Sequence, residues 1–424
     1  MKYIYIVFCF IVLFGCSRPR NKDIKSEGKE ENQSSLAVEL SNNTEYEESA
    51  NSGNLKIFIE NSGSMDGFVN GPTEFKNIVF RYLSDISYGG LFENTYGYYV
   101  NSKLISIKKP ISDIILSLSP LSFRQMGGSR KDTDIADLIQ LILNEIDKRD
   151  VAMLISDFIF SPGTKYCNTA DAYLQQQQNI INNEISKRIQ SDSEFAVVVL
   201  RFTSLFDGIH YNKCNVREII KSDRPFYIWL MGGREKLKEM IQPAVLDINN
   251  NMIKLTDIYS NEQVQGKLDY QFKYDNKGLF QLDRHASGSL VNCKIDPRTG
   301  IFAFKIKVNF KHFLVDNNYL MNLSNYDVSN SIYSVAEITP LSGDDKYTHE
   351  ILIKSDKVVP VNLTIYLKKN LPDWVTNKND MSGSNLTSDS AMDKTYGLTS
   401  QINALEDSFN KQNNNYAELT ISIK

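Results

Sequence analysis

Histidine is scarce in this chain. His210, His285, His312 and His349 are the four present in 424 residues, widely separated and without an H-E-x-x-H pair. That excludes the helix-borne catalytic zinc site, which needs two histidines one helical turn apart. A G-x-S-x-G elbow is also missing, so nothing supports a serine hydrolase of that type. Neither a phosphate-binding P-loop nor a Rossmann glycine fingerprint occurs. Basic charge is not in excess: 47 Lys and Arg stand against 51 Asp and Glu, for a net charge of -4. A nucleic-acid partner is not expected, because its backbone would call for a concentrated basic face. The apolar run over residues 3–15 has the length of a signal-peptide core and is too short to span a bilayer comfortably.

What is present begins with that run. It follows Lys2 and ends Leu13-Phe14-Gly15-Cys16. This resembles a bacterial lipobox, with an aliphatic residue at minus three, a small residue at minus one and the cysteine that receives lipid. Phe14 is bulkier than usual at minus two. The resemblance implies a lipoprotein signal peptide over residues 1–15 and acylation of Cys16, palmitate included. Buried methylenes would then tether the chain to a bacterial membrane. The basic residues Arg18, Arg20 and Lys22 that follow point to a periplasm-facing anchor in the cell envelope. The alternative is an ordinary signal peptide with an incidental cysteine. Residues 16–53 are rich in Glu, Lys, Asn and Ser, bury little and read as a flexible tether.

Apolar residues make up 42% of the sequence, so a core of some size is available. Over residues 54–246, apolar strands alternate with amphipathic helices. Strands are expected at residues 55–59, 95–100, 104–107, 151–155, 195–202 and 226–231. The clearest helical stripe is Ile135, Leu138, Ile139, Ile142 and Ile146. This pattern predicts an α/β domain with a doubly wound, largely parallel sheet, whose ligands sit beyond the strands' carboxyl ends. Over residues 247–424 period-2 runs take over, punctuated by turns such as Asp275-Asn276-Lys277-Gly278. They predict an antiparallel β-sandwich, interrupted by an insertion at 370–411 that carries a helix near 398–409.

The most informative stretch is the first strand and its turn, residues 55–67, LKIFIENSGSMDG. A strand of alternating Leu55, Ile57 and Ile59 ends in Glu60. Ser62 and Ser64 follow at alternate positions around Gly63. A tight turn bearing a carboxylate and two hydroxyls gathers the oxygen ligands that a hard divalent cation takes. The segment E-N-S-G-S-M resembles the metal-ion-dependent adhesion site of the von Willebrand factor A (VWA) family, whose pattern is D-x-S-x-S. Glu60 stands where the family has Asp.

The resemblance covers residue 55 to about 242 and implies a VWA-like fold. It also implies a Mg²⁺ site in which Ser62 and Ser64 bind the ion directly and Glu60 reaches it through water. The family's loop threonine corresponds to Thr133, with Ser129 as competitor. The acidic residue after a buried strand corresponds to Asp157, in Ser156-Asp157-Phe158, where the family commonly has T-D-G. Such a site leaves one coordination position for a carboxylate from a protein partner. The ion is then a binding contact, not a catalyst, and the protein is not expected to be an enzyme. Rival readings are a metal-dependent enzyme or transport accessory, a structural lipoprotein with a degenerate site, or serines that merely cap the turn. If the strands before Cys167 and Cys214 are neighbours, as the family's sheet order implies, a Cys167–Cys214 bridge would staple the rim of the site. Two free thiols are the other reading.

Overall fold

Leu55, Ile57 and Ile59 lie on one face of the first strand and Phe58 on the other, and all four are fully buried. A strand buried on both faces belongs inside a sheet covered on both sides. The computed structural model, which describes residues 53–130, 134–246, 254–263, 267–273, 279–344, 346–384, 386, 388–410 and 414–424, places it there. The expected signal peptide, Cys16, the expected tether up to residue 52 and Thr133 lie outside the described residues.

Seven strands form the first sheet: β1 (Leu55–Glu60), β2 (Thr95–Val100), β3 (Leu104–Ile107), β4 (Val151–Ser156), β5 (Phe195–Tyr211), β6 (Arg217–Gly233) and β7 (Leu255–Glu262). Their order is β3-β2-β1-β4-β6-β5-β7. β1 pairs in parallel with both β2 and β4. The remaining pairs, β2 with β3, β4 with β6, β6 with β5 and β5 with β7, are antiparallel. The sheet is therefore mixed, and only its centre follows the expected parallel arrangement.

The difference comes from one turn. Residues 195–202 and 226–231 read as separate buried strands, but they are the inner ends of two 17-residue arms of a single hairpin. Asn212 makes the reversal: its Oδ1 accepts from the amides of Cys214 and Val216, and Asn215 takes a positive φ of 60°. Asn is suited to both tasks, since its side chain imitates a backbone acceptor and tolerates the left-handed region.

Each face of the sheet is covered. One layer comprises the helices Asp66–Val69, Glu74–Tyr88, Ile111–Ile115, Pro120–Gln125 and Arg234–Met240, packed around Ile57, Ile155, Leu200 and Ile228. The opposite layer comprises Ile135–Glu145 and Ala170–Ser191 around Phe58, Leu154, Val199 and Trp229.

A third helix, Leu398–Asn410, completes this second layer, burying Leu398, Ile402, Leu405 and Phe409 in the same core. It was expected within the sandwich domain. Its i, i+4 apolar stripe instead supplies the cover that the outer strands of the α/β sheet need. Ser408 Oγ donates to the Asn182 carbonyl at 3.1 Å, tying it to the helix beside it. β7 likewise lies within the stretch expected to be sandwich, yet forms the edge of the α/β sheet. The boundary at 246/247 thus separates neither β7 nor this helix correctly, because edge pairing and helix burial both cross it.

The remaining strands form two sheets. Tyr326–Val328, Val361–Lys368, Asn415–Ile423, Ser289–Lys294 and Leu279–Leu282 make one of five strands. Ser334–Pro340, His349–Ser355, Phe302–Val308 and Tyr270–Lys273 make one of four. Phe302, Phe304, Ile351, Ile353, Leu363 and Ile421 fill a shared core. All described residues fall in one compact unit, Glu48–Lys424.

Candidate functional site

β1 and β4 are parallel neighbours, so their carboxyl ends lie side by side. This brings the Glu60–Ser64 turn against Ser156 and Asp157, two segments nearly a hundred residues apart. Ser62 Oγ and Ser64 Oγ are 2.9 Å apart, and the Ser64 hydroxyl is near enough to the Asp157 carboxylate to favour its charged form. Asp157 is 1% exposed. Its Oδ1 accepts from the Ile159 amide at 3.2 Å, and its Oδ2 is buried without a hydrogen-bond partner among the described residues. Burial raises the Asp157 pKa. The Ser64 hydroxyl, the Ile159 amide and the nearby Arg224 guanidinium oppose that rise without cancelling it.

Glu60 ends β1. It is buried, and its Oε2 accepts a hydrogen bond from Ser156 Oγ. Ser156 Oγ itself accepts from the Phe158 amide at 2.8 Å. Phe158 has φ of +49°, a conformation uncommon for a bulky residue. This is the position at which the adhesion-site pattern commonly has glycine, which adopts positive φ without penalty. Here the side chain itself helps to hold the conformation. The Phe158 ring stacks on Trp229 at 4.5 Å, and its carbonyl accepts from Gln401 Nε2 at 3.1 Å.

The turn is clamped from its other side by residues that the sequence did not single out. Arg130 Nε donates to the Asn61 carbonyl at 2.6 Å, and its terminal nitrogen to the Ser62 carbonyl at 2.8 Å and Asp66 Oδ1 at 2.5 Å. Gly63 N donates to the Arg130 carbonyl at 3.1 Å. The buried Asn61 accepts from Asn101 Nδ2 at 2.9 Å and donates to the Phe123 carbonyl at 3.2 Å. The loop leading to Thr133 is therefore bound to the candidate turn through Arg130. Ser129, the alternative hydroxyl, is exposed and its amide donates to Ser102 Oγ. No sequence motif marks Arg130 or Asn101, since their roles depend on which loops meet.

The far end of the β5–β6 hairpin lies alongside. The Tyr211 ring passes 3.4 Å from where a Cβ on Gly63 would sit, an ordinary van der Waals separation that puts the hairpin in contact with the turn. Cys214 at the tip forms a disulfide with Cys167, their Cα atoms 4.6 Å apart. β4 and β5 are not adjacent, because β6 runs between them. The bridge instead spans to the hairpin tip, which overshoots the sheet.

Segments within 379–384 and 388–397 pack on the same region. Lys213 N donates to the Gly383 carbonyl at 3.0 Å, and Phe160 N to the Tyr396 carbonyl at 3.3 Å. Two buried basic groups sit beneath them. Burial, and then Arg224, lower the His210 pKa to about 3, so it is neutral at ordinary pH. Arg224 falls to about 10, mainly through burial, and stays cationic while donating to the Met392 carbonyl at 2.8 Å.

Among the described residues no group of three or more His, Cys, Asp and Glu side chains is arranged to hold a metal ion. The candidate set is of another kind, with hydroxyls outnumbering carboxylates. The Ser62–Ser64 separation of 2.9 Å is that of the hydrogen bond the pair makes; octahedral Mg²⁺ with ligands at about 2.0–2.1 Å sets neighbouring oxygens about 2.9 Å apart, so the spacing admits the ion without calling for it. Asp157 Oδ2 supplies an unused acceptor beside them. A cleft of about 990 Å³ also exists, lined by Leu255, Ile258, Phe313, His349 and Trp374, but it contains none of these residues. No helix among the described residues is long and apolar enough to cross a membrane.

Set against known protein families, curated proteins and solved structures, the chain gives no match.

Proposed function

We propose that this protein is a membrane-anchored lipoprotein whose VWA-like α/β layer binds a protein partner through a Mg²⁺-dependent adhesion-type site. Cys16 carries the anchor, and the chain faces the periplasm from a bacterial membrane. The observation that carries the reading is the buried, unpartnered Oδ2 of Asp157 beside the Ser62–Ser64 hydroxyl pair. A carboxylate oxygen left so costs free energy unless something fills the place, on the order of 1–3 kcal/mol.

Ser62, Ser64 and Asp157 would hold the ion, and Thr133 is the fourth candidate ligand. One carboxylate and neutral hydroxyls leave a divalent ion under-neutralised, so an acidic side chain from the partner completes the shell. Ser64 and Gly63, the part of the turn that remains partly exposed, give the approach. The ion's task is attachment.

Titration calorimetry with MgCl₂ on the purified protein tests the site. The expected result is saturable binding that Asp157→Ala abolishes and Ser64→Ala weakens. The absence of Mg²⁺ binding, with Asp157→Ala indistinguishable from the parent, would overturn it. Crosslinking in native membranes with and without chelator then tests the partner, whose attachment should be lost with the ion.

A further inference from the structure

We infer that Glu60 is a positioning residue and not an ion ligand: through Ser156 it fixes the turn at Phe158 that aims Asp157 at Ser64. The inference rests on the cation-site reading above and assigns Glu60 a different role within it.

The argument follows the protons. A serine hydroxyl has one proton and two lone pairs. At Ser156 the proton goes to Glu60 Oε2. That orientation leaves a lone pair for the Phe158 amide at 2.8 Å. The amide bond is one of three restraints on a residue held at φ +49°, the others being the Gln401 contact and the Trp229 stack. Asp157 lies between Ser156 and Phe158, so the peptide plane that follows it is held by this hydroxyl. A non-glycine residue in the left-handed region persists only where its surroundings over-determine it.

The glutamate's extra methylene is what this task needs. Aspartate at position 60 would draw the carboxylate back by about 1.5 Å, the length of one carbon–carbon bond, and out of reach of Ser156. The departure from the adhesion-site pattern at position 60 and the one at position 158 then have a common cause. With phenylalanine in place of glycine the turn must be held, and glutamate in place of aspartate holds it.

The test compares Glu60→Gln, Glu60→Asp, Ser156→Ala, Ser156→Thr and the double variant Glu60→Gln/Ser156→Ala, all in the whole protein. The first readout is protection of the Phe158 amide from hydrogen exchange, which needs no ion. Glu60→Asp and Ser156→Ala should each lower that protection at least 10-fold while amides in the β1 and β4 interiors keep theirs. Ser156→Thr, which retains the hydroxyl, should preserve it. The second readout is Mg²⁺ affinity. Glu60→Asp and Ser156→Ala should each weaken it by roughly 10–100-fold, the usual effect of losing a group that orients a ligand, whereas Glu60→Gln, whose Oε1 still accepts from Ser156, should weaken it less than either. The double variant should be no weaker than the worse single one.

Phe158 protection unchanged in Glu60→Asp would overturn the inference, whatever the ion does. So would a Ser156→Ala variant with parental Mg²⁺ affinity alongside a Glu60→Gln variant that binds none. Failure of the parent protein to bind Mg²⁺ would instead remove the cation site, and the exchange result would still decide whether Glu60 sets the turn.

Discussion

The parallel and antiparallel halves of the seven-stranded sheet finish their strands in different ways. β1 and β4 stop together, so the turns that follow them meet at one edge. β5 and β6 do not stop there. Their hairpin continues to Tyr211 and Arg217, and its tip is pinned by the Cys167–Cys214 disulfide. Parallel pairing thus assembles the candidate ligands, whereas antiparallel pairing supplies a wall beside them. Two connection types within one sheet divide the work of making a site and enclosing it.

Separate perturbations should distinguish the halves. The largest effect is expected at Arg201, fully buried in β5, which donates to Asp257 Oδ2 on β7 at 2.9 Å and also pairs with Asp393. Arg201→Ala leaves Asp257 without its cation, while Asp393 keeps Lys378. Loss of one partner from a buried pair costs about 3–5 kcal/mol; with both carboxylates partly exposed the lower end is expected, measurable by urea unfolding. A drop below 1 kcal/mol would show that the antiparallel half does not depend on this tie.

Removing the disulfide comes next. The bridge closes a separation of 47 residues, and bridges of this kind contribute about 2–4 kcal/mol. Cys167→Ser/Cys214→Ser should lower stability by that amount and raise exchange at the hairpin tip, leaving β1 and β4 protected. If β1 amides lost protection equally, the two halves would not be separable.

A smaller, pH-dependent effect is expected at Glu262, the last residue of β7. Its Oε1 accepts from the Leu314 amide at 2.7 Å, while Oε2 is buried 3.9 Å from Arg234. Burial raises its pKa to about 7, against the pull of the Leu314 amide, Arg234 and Lys369. The folded state therefore favours the protonated carboxyl. The stabilisation is full below the ordinary carboxylate range near 4.5 and is lost as pH rises through about 7. The loss amounts to at most about 3 kcal/mol, from 4.5 to about 7 at about 1.36 kcal/mol per unit. Glu262→Gln should flatten the stability profile between pH 5 and 7.5; a profile identical to the parent's would rule the assignment out.

The sequence was most legible where local pattern and burial agree. β1, β4, the serine turn and the aspartate after β4 all announce themselves through apolar runs ended by polar residues. The outer arms of the hairpin were obscured because residues 203–211 and 217–225 mix Asp, Lys, Glu and Arg with apolar residues, as a ribbon beyond the main sheet does. Their turn, Asn212 to Asn215, carried the available signal in its two asparagines. Phe158 could not have been read as a positive-φ residue, since the restraints on it come from Trp229 and Gln401, distant in sequence. The bond from Ser156 to Glu60 was equally invisible, although strand register makes it natural once β1 and β4 are known to be parallel.

The helix Leu398–Asn410 bears on how the molecule is made. It covers strands some two hundred residues away in sequence. Until it docks, Val197, Val199 and Trp229 have an uncovered flank. The α/β layer is therefore complete only once a segment from beyond the sandwich strands has folded back onto it, and a closure of such long sequence separation should slow folding.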